Sequence, residues 1–249
     1  GYRAYLARRY PGQWPEMNAG ARPAAASSAA HTNAPLAPAA YLQLMTRLMQ
    51  SNRVFCLQPV FGVLLERFHL QPHGLIYELT PYPTNSISAP PCTSAQLAEN
   101  SAFWQRASAT SLGPILRLVT QPDRHRAGLD RRLMELGHLQ MPPPATATAL
   151  ALWYSTALNY WGVTLQRHDR WSEAAPYFAS ALQLNPDNLP ARLNLQCNSN
   201  LLAGVGMRVL RSRSFRDQFN SHLNWGQILA MNGPLDEPSY CFQLERVYG

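Results

Sequence analysis

The sequence predicts a mainly α chain in which helical hairpins follow a small α/β unit. Three observations carry that expectation. Over residues 155–188, STALNYWGVTLQRHDRWSEAAPYFASALQLNPDN, small and apolar residues recur at the spacing of two short antiparallel helices. After Arg53 the period shortens to that of strands. Residues 1–37 become rich in alanine, serine and proline, leaving little apolar surface to bury.

Within the hairpin, Leu158, Trp161 and Leu165 share a face with Gly162, whose missing side chain lets two helix backbones approach closely. Ala174, Phe178 and Ala181 repeat the pattern on the second helix. The turn falls at His168, Asp169 and Arg170, Trp171 opens the second helix, and Asn185 with Pro186 closes it. One hairpin cannot bury its own face, so neighbours are expected. The next unit starts near Leu189, with Ala191, Leu195, Leu201 and Leu202 apolar. It is degenerate: Gln196 stands where a small residue is wanted, and Arg208 and Ser212 occupy the alanine and aromatic positions. Residues 214–232 hold a further helix or two through Phe215, Phe219, Leu223, Ile228 and Leu229. After Glu237 and Pro238, SYCFQLERVYG reads as the first helix of another unit, truncated at Gly249, so the natural protein is expected to continue.

Upstream, a flexible tether over residues 1–37 leads into a small α/β and helical unit over residues 38–141. A helix is expected from Pro38, with Tyr41, Leu44, Met45, Leu48 and Met49 at helical spacing. RVFCLQP and GLIYELTPYP read as strands flanking a helical FGVLLERFHL, a β-α-β crossover whose strands would run parallel. Thr93 or Ser94 is suited to cap the helix SAQLAENSAFWQRASA. GPILRLV and LDRRLMELGHL are further helical candidates. Pro142, Pro143 and Pro144 make a stiff boundary before the repeat region over residues 145–249.

The 249-residue chain carries a formal charge of +7, and all 21 basic residues are arginine. That fits a coding bias better than a selected surface, because nucleic-acid binding needs arginines gathered on one face with aromatics between them. Here they are scattered, apart from Arg124, Arg126, Arg131 and Arg132 and the group Arg208, Arg211 and Arg213. No nucleic-acid partner is expected. The four cysteines, Cys56, Cys92, Cys197 and Cys241, show no metal-ligand spacing. Free thiols, no metal and no cofactor are the expectation. No apolar run reaches the ~20 residues of a membrane span.

Gly162, Ala174, Phe178, Ala181 and Pro186 together resemble one tetratricopeptide repeat, whose unit is about 34 residues. A wider similarity joins RVFCLQPVFGVLLERFHLQPHGLIYELTPYPTN, AENSAFWQ, ALNYWGVTLQ, LNPDNLPARLNLQCN and NGPLDEPSYCFQLERVY. Over residues 40–249 the chain resembles the soluble region of large Verrucomicrobia-type bacterial membrane proteins. In those, a spanning half resembling lipid-linked sugar transferases precedes a small α/β segment and tetratricopeptide repeats. The resemblance implies a bacterial protein, periplasmic or membrane-associated in its full-length form, contacting the membrane only through regions outside this chain.

Nucleophile-elbow, phosphate-loop and HExxH motifs are missing. The best catalytic constellation is Glu66, His69, His73 and Glu78 around the crossover, where Glu66 and His69 would lie three apart on one helix face as an acid–base pair or metal ligands. Tyr82, Asn85 and Asp123 are weaker loop candidates. The plainer alternative, a surface Glu–His pair, is the more common arrangement. Trp153, Tyr154, Tyr160, Trp161 and Trp171 concentrate aromatic area in the repeat, mostly as core. Asn159, Asn194 and Asn198 are expected on the concave face, partly exposed, where their amides would bond a peptide backbone. The leading expectation is a non-catalytic scaffold with a protein or peptide partner. Its rival is a hydrolase of glycosides or esters, using two carboxylates among Glu66, Glu78, Asp123, Asp130 and Glu135.

Overall fold

The computed structural model describes residues 38–57, 64, 67–84, 86, 89–120, 143–205 and 225–236. The molecule is mostly helical with one small three-stranded antiparallel sheet. In chain order it runs α1 (Pro38–Met49), β1 (Val54–Cys56), β2 (Phe68–His73), β3 (Ile76–Pro81), α2 (Ser94–Ala107), a π-helical turn (Ser108–Leu112), α3 (Gly113–Thr120), α4 (Ala145–Gln166), α5 (Trp171–Leu184), α6 (Leu189–Leu202) and α7 (Trp225–Asn232). The tether, the helical candidate at 129–139 and the last expected helix after Pro238 lie outside the described residues.

The parallel crossover is corrected. The strands lie in the order β1-β3-β2, and both neighbours run antiparallel to β3. The reason is the length of the connection: Gly74 and Leu75 alone join β2 to β3, whereas parallel strands need a dozen or more linking residues. Gly74 has φ +67°, and a Cβ there would come within 2.7 Å of the Phe103 ring, so the turn is restricted to glycine twice over. Asn100, buried in α2, accepts from Gly74 N at 2.8 Å and donates to Pro72 O at 2.9 Å, fixing the turn against the helix. Phe68, Leu70, Tyr77 and Leu79 form the sheet's core with Leu64, and Tyr41, Leu42 and Met45 of α1 cover it. In α2, Thr93 is the N-cap and makes a reciprocal capping box with Gln96, as its position before the helix suggests.

The larger core is helical. Trp104, Ile115, Tyr154, Leu158, Trp161, Leu165, Ala174, Phe178 and Ala181 are packed together from α2, α3, α4 and α5. Helix α4 starts at Ala145, earlier than the hairpin pattern suggests, because residues 145–154 keep the apolar face running. The turn to α5 is at His168, Asp169 and Arg170, with Asp169 at φ 57°. Asn185 ends α5, and Asn188 caps α6 by accepting from Ala191 N at 2.9 Å. Gly162 is buried and faces Phe178 rather than Ala174 or Ala181; a Cβ there would lie 2.5 Å from the ring. Tyr160 joins the two cores: its ring lies 4.6 Å from that of Tyr77, and its hydroxyl donates to Leu70 O at 3.0 Å.

Two substitutions test this packing by urea denaturation. Phe178→Ala, at a side chain 0% exposed, should cost about 3–5 kcal/mol. Gly162→Ala should also destabilise, by about 1–3 kcal/mol, although alanine is the better helix former, because the added methyl overpacks the contact. A Gly162→Ala midpoint at or above that of the parent would show that α4 and α5 do not depend on this close approach.

Candidate functional site

The three asparagines expected on an open concave face are completely buried: Asn159, Asn194 and Asn198 are each 0% exposed. The expectation of partial exposure is therefore corrected, and the reason is that the chain covers its own groove. Residues 231–236, the end of α7 and the segment beyond it, lie against α4 and α6. Thr156 Oγ1 donates to Met231 O at 2.6 Å. Asn159 Nδ2 donates to Asn232 O at 2.9 Å and to Pro234 O at 3.0 Å. Asn188 Nδ2 donates to Asn232 O at 3.1 Å. Asn194 holds both sides of the backbone, donating to Pro234 O at 2.9 Å and accepting from Asp236 N at 2.8 Å. Asn194 Nδ2 also reaches Asn159 Oδ1 at 2.8 Å, so the two amides brace one another.

At the far end the bonds become charged. Arg167 Nε donates to Asp236 Oδ1 at 2.8 Å, while Gln166 Nε2 donates to Asp236 Oδ2 at 3.0 Å and to Asp236 O at 3.2 Å. Leu235 is buried beside this network. Gly233 is at φ +87°, and a Cβ there would stand 3.0 Å from both Asn159 Nδ2 and Thr156 O. Asn198, one turn beyond Asn194, has neither amide atom hydrogen-bonded. Thr156, Gln166 and Asn188 were not singled out from the sequence. The signal available was positional: Asn159 and Asn194 lie one repeat length apart, and Thr156 precedes Asn159 by three on the same helix face.

The catalytic constellation fares differently. His69 lies on β2 and not on a helix, because the apolar run Phe68, Leu70 and Pro72 is taken up by strand pairing; its proposed partner Glu66 lies outside the described residues. His73 and Glu78 do come together, with His73 Nε2 and Glu78 Oε2 3.1 Å apart. Glu99, missed in the sequence, sits 3.1 Å from His73 Nδ1. Arg53 binds Glu78 through Nε at 2.8 Å and Nη2 at 2.7 Å. Its guanidinium hydrogen bonds hold the Glu78 carboxyl below the ordinary carboxylate value, so Glu78 stays ionised and is unsuited to donate a proton. Among the described residues no group of three His, Cys, Asp or Glu side chains is placed to hold a metal ion.

A cleft of about 640 Å³ opens between β2, β3, the loop at 89–93 and α4. His69, Tyr82, Cys92, Tyr160, Arg167 and His168 line it, and no carboxylate among the described residues does. His168 ties the loop to α4, its ring nitrogens 2.7 Å from Thr164 O and 3.2 Å from Cys92 O. Of the five acids weighed for hydrolysis, only Glu78 lies among the described residues. Asn85 and Asp123 lie outside them too. Cys56, Cys92 and Cys197 are free thiols, and burial pushes Cys56 and Cys92 above the ordinary thiol value. No helix among the described residues is long and apolar enough to cross a membrane. Comparison with protein-family models, with curated proteins and with solved structures returns no match.

His69 supplies a pH test. It is 6% exposed with Nε2 unpartnered, and burial lowers its pKa from the ordinary 6.5. The unfolded chain therefore binds this proton at a pH where the folded chain resists it. Stability from this residue is full above pH 6.5 and is lost as pH falls from there towards the lower folded value. Urea midpoints between about pH 7.5 and 5.5 should fall more steeply for the parent than for His69→Phe. Parallel curves would mean that His69 is not buried in its neutral form.

Proposed function

We propose that this chain is a non-catalytic scaffold of tetratricopeptide type that binds a protein or peptide partner, as part of a larger membrane-associated bacterial protein. The observation that carries the reading is the set of amides on α4 and α6, which hold an extended backbone by its own carbonyl and N–H groups. Bonds of that kind recognise a peptide whatever its side chains. Further support comes from the antiparallel packing of α4, α5 and α6 and from the Gly162–Phe178 approach at positions where a repeat places a small residue and an aromatic one. The unpartnered amide of Asn198 leaves bonding capacity beyond the six residues already held.

The rival hydrolase has the His73–Glu78 contact in its favour. Against it, Glu78 is neutralised by Arg53, and the described part of the large cleft lacks the paired carboxylates that glycoside hydrolysis uses.

A peptide-display library panned on the full chain should enrich binders whose retention falls in the double variant Asn159→Ala, Asn194→Ala. Each substitution should also lower stability by about 1–3 kcal/mol through buried groups left unpartnered. Failure to enrich any peptide would remove the scaffold reading. Turnover of chromogenic glycosides or esters that disappears in Glu78→Gln would replace it with the hydrolase.

A further inference from the structure

Residues 231–236 occupy the groove in the manner of a bound peptide, and their sequence states what the groove selects. The backbone bonds set the register. Gly233 is required within that register, because its φ of +87° and its two 3.0 Å contacts exclude any Cβ. Pro234 follows at a position where no N–H is used and where the carbonyl takes two amide donors. Leu235 is buried, and Asp236 meets Arg167 and Gln166 at the groove's end. Resting on the scaffold reading above, we infer that the partner is an extended peptide segment carrying glycine, proline, an apolar residue and an acidic residue in succession, and that residues 231–236 are a built-in competitor for the same groove.

The competition has a physical form. A tethered segment acts at an effective concentration of about millimolar, so a free peptide meets a groove that is open only part of the time, and its apparent affinity is reduced by that fraction. The contacts favour a ligand that also extends beyond the acidic position. Asn198 lies one helical turn beyond Asn194 on the same face of α6, and its amide oxygen and nitrogen both lack partners. A longer peptide gains bonds that residues 231–236 do not make, and so has a means of displacing them.

The test uses the full chain and a fluorescent, end-blocked peptide of sequence Met-Asn-Gly-Pro-Leu-Asp, read by anisotropy. In Gly233→Val the tethered segment cannot seat, and this variant should bind the peptide at least about tenfold more tightly than the parent, following the freed fraction of groove. Replacing the peptide's glycine by alanine, or its aspartate by asparagine, should weaken binding. A folded Gly233→Val that binds no better than the parent overturns the proposal. If that variant does not fold, hydrogen exchange on the parent chain decides: excess peptide should speed amide exchange in residues 231–236, and unchanged exchange overturns the proposal equally. If panning enriches peptides without the glycine–proline–acid pattern and this hexapeptide does not compete with them, the assigned ligand falls while the scaffold reading stands. If neither the library nor the hexapeptide binds, both fall.

Discussion

Buried amides cannot be left without partners, and that constraint shapes the repeat-like half of this molecule. Asn159, Asn188 and Asn194 are each 0% exposed. An unpaired buried polar group costs about 1–3 kcal/mol, so three amides without partners would consume much of a domain's stability. Residues 231–236 meet the requirement with a chain segment whose own backbone groups equally need partners. Helix α7 is tied to α4 and α6 by the same exchange, through Thr156 on Met231 and Asn188 on Asn232. Groove and segment are therefore mutually dependent.

Arg167 stands where the groove meets the cleft. It lines the cleft beside the sheet and pairs with Asp236 at the end of the groove. Pro234 likewise belongs to both. Tyr160 makes a second connection, reaching from α4 to Leu70 and against Tyr77. The small sheet is thus fastened to the same helix that carries Thr156, Asn159 and Gln166. A displacement of residues 231–236 alters the cleft wall directly, because Pro234 moves with them.

The cluster of Arg53, His73, Glu78 and Glu99 shows how proximity alone falls short of chemistry. Two of its members were legible in the sequence as ionisable residues near a turn, and they do touch. Their mutual geometry gives a chain of ion pairs in which the central carboxylate is held ionised by arginine. A general acid needs the opposite environment, one that raises the pKa of a carboxyl group.

Local pattern alone determined a good deal of this protein. The helix spacing over residues 155–188, the turn at Asp169, the stop at Pro186 and the cap at Thr93 all depend on side chains within a few positions of one another. The apolar run before Gly74 was ambiguous for the same reason: a short stretch such as Phe68–His73 suits helix or strand, and only pairing with Ile76–Pro81 decides between them. Asn159 and Asn194 were recognisable as a matched pair on inner helices, yet their exposure was not, because it depends on a segment about 40 to 75 positions away that folds back over them. Sequence spacing sets which residues share a face. What lies against that face is decided by contacts remote in the chain, and here those contacts turned an open groove into an occupied one.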